Sequence, residues 1–429
     1  MRISSVTMFE QSTASINQQQ SDFLNVSKQI ASGRRVVNPS DDPQAAARAV
    51  RVDQSKAVTQ QFEDSRVSAR NSLAQTESIL NSVSDAVTSA KTLLVQASSD
   101  TLSNVDRESI ASEMRGIYET MLGQANATDG NGRYLFGGYA DNAPPFVKNT
   151  DGNVEYKGDT NAREQRIDAS RLMPVTENGD SIFKSVPSGA GYVAEATKTD
   201  INGDPLAGNN VRNDGSVTFG GPQVTNVNDD DHGDSFRIVF EEFNGEDAFR
   251  VEKFDAGWEP FNPATSTDDP IAYEGEGQTV SFGGLDITLD GTPDNGDQIL
   301  VAQAGSEQRE PNLFRTMEEA IRVLEKPVEN DTDKADLRNT LNTSMRDLDN
   351  ALDNVLTVRA SAGARLNELD VVDAVGGNRM LNYEQTLSNL VDLDYYDAIS
   401  EYSLRQVGLQ ASQQAFVDIK GMSLFDFLR

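Results

Sequence analysis

The sequence predicts an α+β protein: an elongated helical coiled-coil rod built from both chain ends, carrying a β-rich central head. Three observations predict it. Of 32 glycines, 24 fall between Gly130 and Gly305, and 10 of 14 prolines lie between residues 141 and 310, so turn formers crowd the middle. Charge changes at the same place: residues 141–310 hold 33 acidic and 12 basic side chains. Apolar residues recur at heptad spacing in the two turn-poor ends and alternate in the middle.

Residues 1–37 are polar, yet Phe9, Ile16, Phe23 and Ile30 recur every seven residues. The second seam positions, Thr13, Gln20 and Ser27, are polar. A stripe one residue wide cannot hold an isolated helix together in water. Beyond Pro43 both seams fill. Leu73, Leu80, Val87 and Leu94 make one; Phe62, Ala69, Thr76, Val83, Ala90 and Ala97 make the other. Asp42 before Pro43 reads as an N-cap with proline at the first helical position. No Gly or Pro interrupts 44–101, which allows one helix of ~87 Å at about 1.5 Å per residue. A break at Ser103-Asn104 precedes a second helix, with Ile110, Met114, Ile117 and Met121 on one face, ending near Asp129-Gly130.

The middle reads as strands. Tyr134-Leu135-Phe136 and Val154-Glu155-Tyr156 are hairpin-like runs. Phe236, Ile238 and Phe240 alternate, as do Phe249 and Val251, Val280 and Phe282, and Leu285, Ile287 and Leu289. Helix then returns. Leu313, Met317, Ile321 and Leu324 form a short helix stopped by Pro327. Thr332 caps the next, whose seam runs through Leu341, Met345, Leu348, Leu352, Val355, Ala362, Leu366 and Leu369. Gly376-Gly377 ends or hinges it, and a last helical stretch starts near Leu381. That stretch places Leu387, Leu390, Tyr395, Ile399, Tyr402 and Leu404 among polar residues and finishes on Leu424, Phe425, Phe427 and Leu428. Apolar chain ends need burial. Either they dock on their own domain, or they coil around each other and around neighbouring subunits; the residues alone leave both open.

Composition excludes several function classes. A net charge of −31 repels phosphate backbones and anionic headgroups, so neither nucleic acid nor membrane is expected as a partner. The absence of cysteine removes disulfides, thiol nucleophiles and thiolate metal sites. His232 is the single histidine and has no Ser/His/Asp arrangement around it. Asp229-Asp230-Asp231-His232 fails the calcium-loop spacing and reads as a solvated acidic loop. Gly137-Gly138 and Gly283-Gly284 lack phosphate-loop flanks and read as turns or bulges. No catalytic, cofactor-binding or metal residue is therefore expected, and no enzyme activity. The N-terminus shows no apolar signal region, and no run reaches the ~18 apolar residues of a membrane span. A soluble chain without a cleaved export signal is expected.

The segment Gln29-Ile-Ala-Ser-Gly-Arg-Arg-Val-Val-Asn-Pro-Ser-Asp-Asp-Pro43 resembles the N-terminal signature of the flagellin family. Arg359-Ala-Ser-Ala-Gly-Ala-Arg-Leu-Asn-Glu-Leu-Asp370 resembles its C-terminal counterpart. Asp394-Tyr395 with Ala398 and Ser400, and the closing Ser423-Leu-Phe-Asp-Phe-Leu428, resemble its terminal helix. Asn38 to Pro43 and Gly132 to Gly138 are more similar to the hook–filament junction branch of that family than to its filament-forming branch. The likeness covers roughly 1–180 and 311–429; the middle matches only loosely, at Phe282-Gly283-Gly284 and Asn295-Gly296-Asp297.

The resemblance implies a structural axial subunit of the bacterial flagellum, exported through the flagellar channel and located outside the cell. Implied partners are copies of itself in a ring, a neighbouring hook-associated protein, flagellin, and an export chaperone. It also implies three layers: terminal coiled-coil segments (1–40 with 381–429), a helical rod with β-hairpins (41–180 with 311–380) and a β-rich outer domain (181–310). Subunit contacts would then involve Phe9, Ile16, Phe23, Ile30, Tyr395, Ile399, Tyr402, Leu424, Phe425, Phe427 and Leu428. The signature itself reads as an inter-layer connector. Gly33 ends the first helix and permits a positive φ, Asn38, Pro39 and Asp41 make a turn, and Asp42 and Pro43 start the long helix. Arg34 and Arg35 read as solvated when taken singly. The alternative class is a coiled-coil adhesin or adaptor whose β head binds a ligand. Such a binder needs one stalk and no paired termini.

Overall fold

The computed structural model describes residues 5–150, 152–199, 211–261 and 270–421. The chain divides into two compact units, Met1–Arg66 with Asp370–Arg429, and Val67–Leu369.

The first unit contains α1 (Ser5–Ser32), the start of α2 (Pro43–Ala97), the end of α6 (Asp331–Val391) and α7 (Tyr395–Gly421). Helix α1 packs along α7. Asp42 caps α2 as the sequence predicts: its Oδ1 accepts from the Ala45 N–H at 3.0 Å, and its carbonyl accepts from Ala46 at 2.9 Å. Ion pairs Lys56–Glu384 and Arg66–Asp373 tie α2 to α6.

In the second unit α3 (Asn104–Ala125) and α5 (Leu313–Glu325) pack against one another. Helix α3 opens on a capping box, the Ser103 side chain accepting from the Asp106 N–H while the Asp106 carboxylate accepts from the Ser103 N–H. The predicted seam of α2 is buried at Ala69, Leu73, Thr76, Leu80, Val83, Val87, Ala90, Leu94 and Ala97. From Leu80 onward its apolar residues join Ile110, Met114, Met121, Met317, Leu324, Leu341, Leu348 and Val355 in one cluster. Each such side chain contributes ~1.5–3 kcal/mol on burial. Phe136, Phe146, Phe183 and Phe314 close one end of this core, with ring centroids 5.1–5.8 Å apart.

Two hairpins lie on this unit: β1 (Phe146–Lys148) with β2 (Val154–Tyr156), and β3 (Arg163–Asp168) with β4 (Arg171–Thr176). A short α4 (Gly179–Phe183) leads to the β-rich part, which contains β5 (Tyr192–Glu195), β6 (Thr218–Val224), β7 (Ser235–Phe243), β8 (Glu246–Phe254), β9 (Trp258–Pro260), β10 (Ile271–Ala272), β11 (Gln278–Phe282), β12 (Leu285–Asp290) and β13 (Gln298–Gln303). One sheet runs β10-β8-β7-β13-β5 with β9 paired to β8; the other runs β11-β12-β6. All pairings are antiparallel. The alternating residues Phe236, Ile238, Phe240, Phe249, Val251, Val280, Phe282, Leu285, Ile287 and Leu289 all point into a second apolar cluster, separate from the helical one. That is the period-two burial of sheets with one face on a core.

Several sequence expectations are corrected. Tyr134-Leu135-Phe136 forms no hairpin: it carries only an isolated bridge from Tyr134 to Thr128, and Leu135 and Phe136 turn inward to the helical core. The cap of α6 is Asn330, whose Oδ1 accepts from the Asp333 N–H at 2.8 Å, not Thr332. Helix α2 stops at Ala97 and α3 at Ala125, a few residues short of the expected ends. Gly376-Gly377 neither ends nor hinges α6, which continues to Val391. The final helical stretch therefore does not start near Leu381; the interruption falls at residues 392–394.

Candidate assembly site at the paired chain ends

The connector between α1 and α2 is built by hydrogen bonds to a part of the chain more than 350 residues away. Gly33 adopts φ +68°, a conformation that glycine takes at no steric cost. A Cβ there would sit 3.0 Å from the Tyr395 hydroxyl, so a side chain would also press on that ring. The Leu393 N–H donates to the Gly33 carbonyl at 3.0 Å, and the Arg35 N–H donates to the Val391 carbonyl at 2.8 Å. Arg34 and Asp392 form the bridge between them. Arg35 is not simply solvated: its Nη2 donates to the Leu390 carbonyl at 2.8 Å, and its Nη1 lies 3.5 Å from Asp42.

Asp41 shapes the turn that follows. Its Oδ2 accepts from the N–H groups of Val37 at 3.1 Å and Asn38 at 2.7 Å, and its own N–H donates to the Asn38 carbonyl at 3.0 Å. Pro39 sits exposed within that turn, and Asp42 and Pro43 then open α2. On the other strand of the connection, Asp394 starts α7, its Oδ1 accepting from Tyr396 at 2.9 Å. The sequence reading overlooked this cap, although an Asp two residues before Tyr396 and three before Asp397 is a helix-start signal.

Helices α1 and α7 then run together. Phe23 packs on Tyr402 with ring centroids 4.8 Å apart. Arg405 reaches Asp22 at 3.0 Å, and Gly408 lets Gln19 approach α7 closely. Val26 and Ala398 are buried between the helices, and Ile16, Phe23, Ile30 and Tyr402 are partly buried. Tyr395 and Ile399 remain more than half exposed, at 52% and 55%. The sequence reading did not single out Val26, a second-seam-adjacent residue in a run of polar ones.

The pair leaves apolar residues outward: Tyr396 at 80%, Leu404 at 71%, Val407 at 63% and Val417 at 59%. Leu24 on α1 is also exposed. Of the other sequence-predicted contact residues, the side chain of Phe9 and all of Leu424, Phe425, Phe427 and Leu428 lie outside the described residues.

Among the described residues no group of three His, Cys, Asp or Glu side chains is placed to hold a metal ion, and no helix is long and apolar enough to cross a membrane. The Asp229-Asp230-Asp231-His232 segment is a turn. Asp229 Oδ1 accepts from the Asp231 N–H, and Asp231 pairs with Lys253 at 2.8 Å.

Residues 3–141 match the bacterial flagellin N-terminal helical region. Two curated relatives match from end to end. The chain is 31% identical over 426 residues to flagellar hook-associated protein 3 of Escherichia coli (strain K12), covering 99% of each chain. It is 31% identical over 430 residues to the protein of the same name from Salmonella typhimurium, covering 100% of each. Among solved structures, the flagellar junction protein FlgL from Legionella pneumophila superposes with a TM-score of 0.61 at 25% identity, over 80% of this chain and 100% of that one. The predicted arrangement of terminal helices around a β-rich centre agrees with that likeness.

Proposed function

The chain belongs to the family of flagellar hook-associated protein 3, and from that membership we propose that it is a structural subunit of the bacterial flagellum that joins hook to filament. The observation that carries the reading is the α1–α7 pair. It buries one side of each helix internally and leaves Tyr396, Ile399, Leu404 and Val407 facing outward. A row of large apolar side chains on an otherwise polar helix is a surface awaiting a partner. Neighbouring copies of the chain cover this row in a ring, which a hook-associated protein borders on one side and flagellin on the other. The chain performs no catalysis; its work is contact. It reaches the site outside the cell through the flagellar channel, accompanied before export by a chaperone. The three-layer division, with 1–40 and 381–429 innermost and 181–310 outermost, belongs to the same reading. The adhesin or adaptor alternative draws no support from the full-length relatives.

Electron microscopy of a strain lacking the native junction protein and complemented with this chain tests the proposal. Hooks bearing filaments are expected. Bare hooks, with the chain verified as exported and flagellin found free in the medium, would refute it.

A further inference from the structure

The sequence contains five Asn-Gly bonds, at 131, 178, 202, 244 and 295. Asn202-Gly203 lies outside the described residues. Asn-Gly is the dipeptide in which an unhindered backbone nitrogen sits next to a side-chain amide carbon. The glycine nitrogen attacks Cγ, forming a five-membered succinimide. The Cγ–Nδ2 bond breaks, and ammonia leaves with the proton that the glycine nitrogen loses. Water then opens the ring at either carbonyl, leaving aspartate or isoaspartate. The step requires a glycine N–H free of other bonds and an asparagine side chain free to rotate.

The fold sorts the four described bonds by these two requirements. Asn178 is buried, its side chain accepts from Ser181 and donates to Thr160, and the Gly179 N–H donates to the Phe136 carbonyl at 2.8 Å. At 295 the Gly296 N–H donates to the Phe240 carbonyl at 2.9 Å. Both nucleophiles are occupied. Asn131 and Asn244 differ. Both are exposed. Among the described residues no hydrogen bond engages the Gly132 or Gly245 N–H, and a Cβ at either glycine would meet nothing within 4 Å. Asn131, however, is held by Asp129, which accepts from its backbone N–H at 2.9 Å and from its side chain, so only Asn244 meets both requirements. Asn244 and Gly245 form the two-residue tip of the β7–β8 hairpin, with φ +55° and +84°.

We propose that Asn244 is a spontaneous deamidation site of the folded protein, whereas Asn178 and Asn295 are protected by its hydrogen bonds. At the hairpin tip the product places a fourth carboxylate among Glu242, Glu246 and Asp247, of which Glu242 and Asp247 already oppose one another across the strands. Isoaspartate also routes the main chain through Cβ, which lengthens a turn whose register depends on having two residues.

The test ages the full-length folded chain at mildly alkaline pH and maps its peptides by mass spectrometry, with an isoaspartyl methyltransferase assay to identify the linkage. A parallel sample is aged in denaturant. In the folded sample Asn244 should convert about 2–12-fold faster than Asn178 and Asn295, the factor set by breaking one net hydrogen bond. In denaturant the three should converge. Equal conversion of all three in the folded chain, or Asn178 or Asn295 leading, overturns the proposal. So does a spread that persists in denaturant, because the discrimination would then be local sequence and not fold.

Discussion

Arg66 lies across Gly376. The arginine is 2% exposed, it pairs with Asp373 one helical turn before that glycine, and a Cβ built at 376 would fall 2.7 Å from its Nη2. The glycine in the middle of α6 is therefore space for a buried guanidinium, not a hinge. Its neighbour Gly377 meets nothing within 4 Å.

That contrast gives the first prediction. Glycine in a helix interior costs about 0.8–1 kcal/mol relative to alanine. Gly377→Ala should recover that amount and raise the melting temperature in far-ultraviolet circular dichroism. Gly376→Ala should give no such gain, because the added methyl displaces Arg66 from Asp373. Equal stabilisation by both substitutions would remove the packing role assigned to Gly376.

The same pair of glycines shows what was legible in the sequence. Heptad seams and strand alternation could be read directly, because burial imposes period 3.5 or 2 on apolar residues, and Leu73 to Leu94 and Phe236 to Leu289 follow it. Glycine could not be read so directly, because it marks either a stop or a close approach and only the partner distinguishes them. Arg66 is 310 residues from Gly376. For the same reason the connector was readable as a turn but not as a bridge. Gly33 and Arg35 depend on Val391 and Leu393, and no local pattern announces that pairing. Strand order was equally hidden, since β13 inserts between β7 and β5 through contacts distant in sequence.

Asp297 supplies a second prediction. It is fully buried, its Oδ1 accepts from the Asp214 N–H at 2.8 Å, and its Oδ2 accepts from Gly215 and Asp294 at 2.9 Å each. Asp297→Ala strands three backbone donors, each costing about 1–3 kcal/mol when left without an acceptor. The β-rich part should lose its cooperative unfolding in denaturant titration while the helical signal persists. An unchanged midpoint would mean that water replaces the carboxylate at no cost.

A third concerns Arg309, also buried, which donates two hydrogen bonds of 2.9 Å to Asp347 and one of 3.2 Å to Glu195. Burial works to raise the Glu195 carboxyl, but the Arg315 and Arg309 guanidiniums hold it below the usual carboxylate range. Arg309→Ala takes the buried cation from the partly buried Asp347 and leaves Glu195 with Arg315 alone, so the loss should fall at or below the about 3–5 kcal/mol of a fully buried pair broken on one side. Because the folded pKa of Glu195 is depressed, its contribution is present above its unfolded value and fades as pH falls through the folded one. The destabilisation by Arg309→Ala should accordingly shrink in acid. A loss independent of pH would assign the effect to packing alone.

Glu318 has the opposite sign. Burial raises its pKa, joined by the neighbouring Glu319 carboxylate, while the hydrogen bond from Tyr118 and the charge of Lys148 work the other way. A raised folded pKa makes the ionised form a burden above the unfolded value, and the burden vanishes as pH falls below it. Glu318→Gln should stabilise the chain at neutral pH and have little effect in acid, measured as the difference in denaturant midpoint. Destabilisation at neutral pH would show that the Tyr118 bond to the carboxylate outweighs its desolvation.

The last prediction separates folding from assembly. Leu404 and Val407 are 71% and 63% exposed on α7, on the side turned away from α1, whereas Val26 is 5% exposed between the two helices. A charge at an exposed position costs the monomer little, since it stays hydrated; a charge buried without a partner is expensive. Leu404→Asp with Val407→Asp should therefore leave the far-ultraviolet spectrum and melting of the isolated chain unchanged, while Val26→Asp should loosen the α1–α7 pair. In an assembled ring the order reverses. Each large apolar side chain buried at a contact contributes about 1.5–3 kcal/mol, and the double substitution removes two per subunit while placing two carboxylates in a dry interface. Cells producing the Leu404/Val407 variant should export it, carry bare hooks and shed flagellin into the medium. Normal filaments on those hooks, with the variant confirmed at the hook tip, would mean that this row faces solvent in the flagellum and that the subunit contacts lie elsewhere.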